Sequence, residues 1–548
     1  MRTYVRVGLL LTAVLALAVL AGGTPAYAWS YPAALNTNAA TDSGLDWLPQ
    51  VTTDGLGNWL AVWHSNDELC APLPPGCEGS LGTDSDILVA RSTDNGATWT
   101  DPAALNTNAA TDSGDDTRPQ VTTDGLAPPW THWVAVWESN GNLGGAIGTD
   151  YDILVARSGD NGATWTAPVP LNTNAATDSG DDARPQVTTN GTYGGNNWVA
   201  VWHSNDSLGG TIGTDRDILV AGSTDNGVTW TAPAALNTNA AGDSGDDWDP
   251  QVTTDRLTPP WTHWVAVWES NDELCAPLPP GCEGSLGTDY DILVARSGDN
   301  GANWTAPAAL NRNAATDSGD DYVPQVTTGG WDNWVAVWVS DDELCAPLPP
   351  GCEGSLGTDR DILVARSTDK GATWPPPPVP LNSNATTDSG DDDWPQVTTD
   401  GGGNWVAVWH SNENLGGTIG TDLDILVARS TNNGVTWTAP PVPLNTNAAT
   451  DSGSDFLPQV TTDGAGNWVA VWYSYDDLGG TIGTDFDILY ATEYIPPYPP
   501  VGGLAELPDA SDSAGRNYVA LAALAALAAA ALVALSAGGW YVRRRWVR

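Results

Sequence analysis

The sequence has very little positive charge. Its 548 residues include 19 lysines and arginines against 67 aspartates and glutamates, which gives a formal net charge of −48. Lys370 is the single lysine. Such a charge repels phosphate backbones and anionic lipid surfaces, so the composition argues against a nucleic-acid partner. An aspartate-rich, lysine-poor surface suits either divalent cations or a salty exterior, and composition alone does not separate the two.

Helical periodicity is missing from the greater part of the chain, where a β pattern repeats instead. In the second repeat, short β signals at 119–123, 133–137, 152–157 and 164–168 are separated by Gly, Asn and Asp turns. Four antiparallel strands per repeat predict the blade of a β-propeller. Each repeat begins with Leu-Asn and spans 63 to 74 residues, and the leucines are Leu35, Leu105, Leu171, Leu236, Leu310, Leu381 and Leu444.

The two ends of the repeat array predict how the ring closes. Residues 29–36 match the fourth-strand sequence of the other repeats, whereas the last repeat ends after its third strand, near Tyr490. An open solenoid would carry polar caps instead. The N-terminal strand therefore completes the last blade and removes both free sheet edges. We expect an all-β, seven-bladed β-propeller closed by its N-terminal strand, followed by a C-terminal transmembrane helix.

Apolar segments flank the repeats. Residues 1–28 are typical of a secretory signal peptide, with Arg2 and Arg6 before an apolar run and small residues at the cleavage position. After the propeller at 29–495, we expect a Pro/Gly/acidic linker at 496–517, a transmembrane helix at 518–541 and a basic cytoplasmic tail at 542–548. The positive tail stays inside, so the protein is predicted to be secreted and anchored in the cell membrane as a single-pass protein, with its N-terminus outside.

Cysteine is confined to one insert, ELCAPLPPGCEGS, which occurs three times. The Pro-Pro-Gly between the two cysteines of each copy allows a small loop to close. A metal site is the weaker alternative, because the insert has no histidine. We therefore predict three local disulfides, which agree with an oxidising location: Cys70 with Cys77, Cys275 with Cys282, and Cys345 with Cys352.

A fixed turn lies between the third and fourth β signals. It reads Ser-x-Asp-x-Gly-x-x-Trp at residues 92–99, and it recurs at 158–165, 223–230, 297–304, 367–374 and 430–437, where Asn432 replaces Asp. This turn resembles the Asp-box of the BNR repeats found in sialidases and related propellers, over residues 29–490. We expect its aspartate to accept backbone hydrogen bonds from one and two residues on, its glycine to take positive φ and its tryptophan to cover the layer between blades. These structural aspartates are Asp94, Asp160, Asp225, Asp299 and Asp369.

The resemblance to sialidases implies a catalytic set of three arginines, a Tyr–Glu pair and an Asp acid/base. The sequence lacks the Arg-Ile-Pro motif of that family, and only Arg118 and Arg184 enter the innermost strands. Glu138 and Glu269 end second strands without a suitably spaced tyrosine. No catalytic residue is identified, so the sequence favours a non-catalytic binding or adhesion propeller. An exo-α-sialidase-like glycoside hydrolase is the alternative.

Two features indicate where ligands could bind. The two residues before each Pro-Gln vary between repeats and lead into the strand nearest the axis, so they predict a ring at one mouth of the channel. The aromatic and arginine members suit a glycan or protein ligand: Trp47, Arg118, Arg184, Trp248, Tyr322, Trp394 and Phe456.

Each repeat also contains two aspartate clusters. One precedes the innermost strand, as in Asp112, Asp115 and Asp116, and the other precedes the third strand, as in Asp150 and Asp152. Oxygen ligands at alternate loop positions suit calcium, although neither cluster matches an EF-hand loop. Aspartates also cap turns routinely. Capping is the commoner role, so no cofactor is required and calcium stays the alternative.

Overall fold

A computed structural model describes residues 28–69, 81–126, 131–191, 197–257, 262–274, 286–315, 319–330, 332–342, 344, 356–357, 359–375 and 378–494. The six cysteines, and the predicted signal peptide except for Ala28, lie outside these ranges. So do the predicted linker, transmembrane helix and tail. By its internal contacts the chain divides into one unit at Met1–Pro497 and another at Tyr498–Arg548. The described residues include no helix that is long and apolar enough to cross a membrane.

The described residues form seven four-stranded antiparallel sheets, and they contain no helix. Blades 1 to 6 each use four consecutive strands, β2–β5 through β22–β25, and blade 7 consists of β26, β27, β28 and β1. The strands are β1 Ala33–Ala34, β2 Asp46–Thr53, β3 Trp59–Ser65, β4 Asp86–Ser92, β5 Ala103–Ala104, β6 Asp116–Thr123, β7 Trp133–Ser139, β8 Asp152–Ser158, β9 Val169–Pro170, β10 Asp182–Thr189, β11 Trp198–Ser204, β12 Asp217–Ser223, β13 Ala234–Ala235, β14 Asp247–Thr254, β15 Trp264–Ser270, β16 Asp291–Ser297, β17 Ala308–Ala309, β18 Asp321–Thr328, β19 Trp334–Ser340, β20 Asp361–Ser367, β21 Val379–Pro380, β22 Asp392–Thr399, β23 Trp405–Ser411, β24 Asp424–Ser430, β25 Val442–Pro443, β26 Asp455–Thr462, β27 Asn467–Ser474 and β28 Asp487–Tyr494.

The ring closes as the sequence predicts. The first strand of each blade contacts the first strands of both neighbouring blades, and β2 contacts β26, so these seven strands surround the axis. β1 pairs antiparallel with β28, with Ala33 opposite Tyr490. Leu35 N donates to Ile488 O at 2.7 Å, and Ser30 N donates to Thr492 O at 2.9 Å. The predicted seven-bladed propeller closed by its N-terminal strand is therefore confirmed.

The predicted fourth strand was misplaced. In blade 2 the sequence predicts it at 164–168, but the structure has only the two-residue strand β9, which follows that segment. Thr166 N still donates to Arg157 O at 2.9 Å, but Arg157 N donates to the Thr166 hydroxyl rather than to a backbone carbonyl. Pro168 has no N–H to donate. The side-chain acceptor and the proline together interrupt the ladder.

The core lies between the blades rather than within a single centre. The second strand of each blade reads Trp-Val-Ala-Val-Trp, with Leu60 replacing the first valine in blade 1, and it is buried on both faces. Because side chains alternate along a strand, Trp133 and Trp137 pack against Leu60 and Val62 of blade 1, whereas Val134 and Val136 pack in the layer shared with blade 3. Seven such layers hold the ring together.

The box turns occupy the same position in six blades, which confirms the resemblance to Asp-box propellers at the level of fold. Their tryptophans pack in the interblade layers as predicted, for example Trp99 and Trp165. The predicted hydrogen bonds need correction. Asp94 Oδ1 accepts from Thr98 N, four residues on, at 2.9 Å, and the Ser92 hydroxyl accepts from Gly96 N at 3.0 Å. Gly96 has a φ of +78°, and a Cβ there would lie 2.5 Å from the Val469 side chain, so both conformation and space require glycine.

Candidate functional site

A β-bulge at the start of each innermost strand aims one side chain at the axis. In β2 the register with β3 shifts between Trp47 and Gln50, because Pro49 has no N–H for the ladder. The residue before the proline takes a left-handed conformation in every blade, with φ between 46° and 54°. Such angles are uncommon for residues other than glycine and cost about 1–3 kcal/mol each. These seven residues, here called the inner ring, are Leu48, Arg118, Arg184, Asp249, Val323, Trp394 and Leu457.

In three blades the penultimate residue of the second strand accepts a hydrogen bond from the backbone of the inner-ring residue of the next blade. Glu138 Oε2 accepts a hydrogen bond from Arg184 N at 2.8 Å, and Glu269 Oε2 accepts one from Val323 N at 2.7 Å. His410 Nδ1 accepts from Leu457 N at 3.2 Å. The same position holds different residues around the ring: His64, Glu138, His203, Glu269, Val339, His410 and Tyr473.

Two further positions vary together across each blade junction. We call the residue that precedes each inner-ring residue the first bulge residue. The residue between the two aspartates at the start of a third strand lies beside the first bulge residue of the next blade. Arg216 stacks over Trp248 at 3.9 Å, and Tyr290 lies 6.1 Å from Tyr322. Around the ring the pairs are Ser85 with Thr117, Tyr151 with Ala183, Arg216 with Trp248, Tyr290 with Tyr322, Arg360 with Asp393, Leu423 with Phe456, and Phe486 with Trp47.

These four positions of each blade lie at one end of the propeller, and together they form what we call the variable face. The strand sequences beneath them hardly change from blade to blade. The bulge residues and the residues before the third strand are mostly half-buried, so they are reachable from solvent. Along the strands, variation is thus concentrated at this end of a nearly constant scaffold, whereas at the other end the loops between the first and second strands also differ in length and sequence.

An axial cavity of about 280 Å³ opens within the inner ring. All seven inner-ring residues line it, together with the glutamine that follows each Pro, from Gln50 to Gln459. Glutamine offers both donors and acceptors. The cavity is therefore lined by mixed polar and apolar groups, and Trp394 reaches across it to within 5.7 Å of the Arg184 guanidinium.

Charged groups of the variable face concentrate on blades 2 to 4, where the two inner-ring arginines form ion pairs and Arg216 stacks on Trp248. The Arg118 guanidinium lies 2.6 Å from the buried Glu138 carboxylate, and Arg184 forms an ion pair with Asp249. Burial and, to a smaller extent, the Asp249 carboxylate raise the pKa of Glu269 to about 8. Glu269 is therefore largely neutral at pH 7, and the two arginines are each balanced by a carboxylate.

Aromatic groups concentrate on the opposite side of the face, at the junction of blades 7 and 1. Phe456 stacks on Tyr473 at 5.1 Å between ring centroids, and Phe486 lies 5.8 Å from Phe456 and 6.3 Å from Trp47. Tyr475, which is 44 % exposed, stacks on Phe486. The chain contains only two phenylalanines, and both belong to this aromatic cluster, although tryptophan occurs 29 times.

The structure places the predicted ligand-binding residues on the variable face, in two sets. Arg118, Arg184 and Trp394 line the axial cavity. Trp47, Trp248, Tyr322 and Phe456 are first bulge residues, which the cavity lining does not include. From the sequence, both residues of each pair were predicted ahead of the strand, whereas they lie within it at the bulge. The second-strand position and the position before the third strand were not predicted, although both vary between repeats.

The predicted metal residues fall into separate places. Carboxylate oxygens of Asp150 and Asp152 come within 4.8 Å of each other and of Asp178. Asp112 joins Asp84 and Asp86 of the preceding blade in an equivalent cluster. Asp115 instead accepts a hydrogen bond from Ser85 N at 3.1 Å, and Asp116 binds the buried amide of Asn106 at 2.7 Å. The sequence grouped Asp112 with Asp115 and Asp116, whereas the structure brings Asp112 together with Asp84 and Asp86. Calcium binding by these aspartates stays a prediction.

No protein-family model and no curated protein matches this sequence. Among solved structures, a protein of unknown function from Dyadobacter fermentans is similar with a TM-score of 0.42 at 13 % identity, over 86 % of this chain and all of that one. A leech intramolecular trans-sialidase is similar with a TM-score of 0.40 at 12 % identity, over 85 % and 70 %. An α-L-arabinofuranosidase from Fusarium graminearum gives 0.38 at 13 % identity, over 69 % and 93 %. These likenesses are too remote to transfer an activity or a site residue to this chain.

Proposed function

We propose that this protein is a non-catalytic, extracellular binding propeller whose variable face takes neutral glycans. One observation carries the proposal: the four variable positions at the strand ends lie on one face, where the two phenylalanines of the chain meet Trp47, Tyr473 and Tyr475. Aromatic rings offer large, rigid contact areas at low entropic cost, and their faces suit the C–H surfaces of sugar rings. The glutamines of the axial cavity supply hydrogen bonds beside them.

The charge pairing supports a neutral ligand and argues against sialidase chemistry. A clamp for an anionic sugar needs arginines that are free to bind its carboxylate. Arg118 and Arg184 are each neutralised by an acid of the variable face, and the overall charge of −48 repels anions at longer range. The Tyr322 hydroxyl, at the first bulge position of blade 5, donates to Asp320 at 2.8 Å, and burial together with that aspartate raises the pKa of Tyr322.

The predicted signal peptide and C-terminal anchor add a cellular location to this proposal. They would hold the propeller outside the cell, at the end of a Pro/Gly/acidic linker, where glycans are available. Release of the propeller by protease from intact cells, without lysis, tests this arrangement. Protection of the propeller until the cells are lysed would contradict it.

A glycan array that contains matched neutral and sialylated oligosaccharides tests the binding proposal, followed by calorimetry with the strongest ligand. We expect neutral glycans to bind and a double variant, Trp47→Thr with Phe486→Ser, to lose at least tenfold in affinity. This variant places the natural Thr117–Ser85 combination at the junction of blades 7 and 1, so the scaffold already accommodates it.

The matched control introduces the same two residues at a charged junction, as Asp393→Thr with Arg360→Ser. Its affinity should stay within about twofold of the parent, since the aromatic cluster is intact. Selective binding of sialylated glycans, or equal losses in both double variants, would overturn the proposal.

A glycoside hydrolase remains the second candidate, because Glu269 has the property that a general acid requires. Its raised pKa keeps it protonated near neutral pH, and Asp249 lies close enough to contribute to that shift. If the protein hydrolyses neutral nitrophenyl glycosides, Glu269→Gln should lower kcat by about 100-fold or more. Glu138→Gln, at the same blade position, is the matched control. Rates that fall above about pH 8 and vanish in Glu269→Gln alone would favour hydrolysis over simple binding.

A further inference from the structure

At several blade junctions three chain segments meet and bring oxygen atoms together. Between blades 2 and 3 the first segment is the start of β8, with Asp150 and Asp152. The second is the loop after β9, with Asn174 and Asp178. The third follows β11 of blade 3 and contains Asp206. One carboxylate oxygen from each of Asp150, Asp152 and Asp178 lies within 4.8 Å of the others. The group is thus built from both blades and from the loop that joins them.

The hydrogen bonds of this group leave oxygens unused. Asn174 Nδ2 donates to Asp178 Oδ2 and, at 2.7 Å, to Asp206 Oδ2. Asn172 donates to Asp152 Oδ1 at 2.7 Å. The remaining oxygens, Asn174 Oδ1, Asp178 Oδ1, Asp150 Oδ2 and Asp152 Oδ2, are buried, and the described part of the chain offers none of them a hydrogen-bond donor. Asp152 is 0 % exposed, so bulk solvent does not reach its carboxylate.

The same quartet of oxygens recurs at three other junctions. Each consists of one asparagine and three aspartates whose corresponding oxygens are buried and without a donor in the described ranges. The junction of blades 7 and 1, where the ring closes, is among them. The quartets are Asn38, Asp42, Asp485 and Asp487; Asn239, Asp243, Asp215 and Asp217; and Asn447, Asp451, Asp422 and Asp424.

We propose that each of these four junctions binds a calcium ion that joins adjacent blades. Buried polar atoms normally have partners, so converging carboxylates with oxygens that lack donors, beside an amide oxygen that also lacks one, indicate a cation. Three carboxylates and an amide oxygen are hard ligands of the type that calcium prefers. Calcium–oxygen distances of about 2.3–2.6 Å keep any two ligands of one ion within about 5.2 Å, and the three carboxylates approach one another to within 4.8 Å.

Turn capping explains the neighbouring aspartates but not these. Asp115 accepts a backbone hydrogen bond from Ser85, as a cap does. The quartet oxygens accept none from the described residues, and their mutual repulsion opposes packing unless a cation is bound. Glycine precedes the third-strand cluster, and a Cβ at Gly148 would lie 2.1 Å from Asp150 Oδ1. The carboxylate therefore folds over a position that only glycine leaves open.

Metal analysis of the native protein tests the proposal without any variant. After exhaustive treatment with EGTA and removal of the chelator, the protein should bind at least four calcium ions per chain by equilibrium dialysis with elemental analysis. Its melting temperature should rise by at least 5 °C when millimolar calcium is restored. Failure to bind calcium, or an identical melting temperature with and without it, would overturn the proposal. Equal protection by magnesium would overturn the assignment to calcium.

Variants then locate the ions. Asp150→Asn with Asp178→Asn removes two ligand charges from one junction, so the stoichiometry should fall by one ion per chain. The control is Asp160→Asn in the exposed Asp-box of the same blade, where Asn432 shows that asparagine is tolerated. Unchanged stoichiometry in the double variant would contradict the site, whereas the control should bind calcium as the parent does.

Discussion

The interblade layers and the variable face differ in how much their equivalent residues vary around the seven blades. In the layers each blade repeats the same Trp-Val-Ala-Val-Trp strand with almost no change, and its large side chains are fully buried. On the variable face the equivalent residues of different blades are aromatic, cationic, acidic or small. Close packing penalises every change of volume in a layer, whereas a half-buried bulge tolerates many residues. The interblade layers therefore hold the fold together, and the variable face is free to carry the ligand choice that we propose for it.

The largest expected effect comes from breaking a layer. Trp137→Ala should lower the free energy of unfolding by about 3–5 kcal/mol, because it removes a buried indole and leaves a cavity. Trp47→Ala, on the variable face, should cost less than half as much. Chemical denaturation of both variants checks this ratio, and similar losses in the two would contradict the contrast between the regions.

The buried asparagine after each fourth strand is the next most sensitive point. Asn106 Nδ2 donates to Asp86 and Asp116, both at 2.7 Å, and Asn106 Oδ1 accepts from Ile87 N. Asn106→Ala should cost about 2–4 kcal/mol, because two buried carboxylates lose a donor. Thr107→Ala, its exposed neighbour, should be neutral within about 0.5 kcal/mol. Thermal melts of the pair measure the difference, and a neutral Asn106→Ala would refute this role.

The histidines of the variable face should make stability depend on pH. Burial, with a smaller contribution from the Arg360 charge, lowers the pKa of His410 to about 3. The unfolded chain binds a proton near pH 6.5 and the folded chain does not, so stability is complete above pH 6.5 and is lost as the pH falls towards 3. His410→Gln cannot titrate and should gain about 2 kcal/mol on the parent between pH 7 and pH 5. Parallel unfolding curves at the two pH values test this, and a constant gap between the proteins would contradict it.

The smallest effect is expected at the rim, in the Asp-box. Asp160→Asn should change stability by less than about 1 kcal/mol, because asparagine keeps the acceptor oxygen. The sixth box already shows this: Asn432 Oδ1 accepts from Thr436 N at 3.0 Å. A thermal melt is sufficient to detect a larger loss, which would mean that the carboxylate charge matters to the turn.

The fold could be predicted from the sequence because each blade is a local unit and the closing strand is an exact partner for the incomplete last repeat. The variable face was only partly predictable. Glu138 accepts a hydrogen bond from the backbone N–H of Arg184 in the next blade, 46 residues away. Repeat spacing does not reveal which residue of a neighbouring blade a side chain contacts. The aromatic cluster joins Trp47 to Phe486 from opposite ends of the chain, so it exists only once the ring has closed. The left-handed backbone conformation of the inner-ring residues was also not predictable, because valine and tryptophan, unlike glycine, do not indicate a positive φ.

We assign stability to the interblade layers and propose that the variable face binds the ligand. This assignment is tested most directly by making the variable face uniform. In one variant, every residue before a third strand becomes Ser and every first bulge residue becomes Thr, as Ser85 and Thr117 already are. Calorimetry and the glycan array are then applied to the same preparation. We expect a cooperative transition within about 5–10 °C of the parent and no glycan binding. Loss of the folded state, or an unchanged glycan profile, would contradict it.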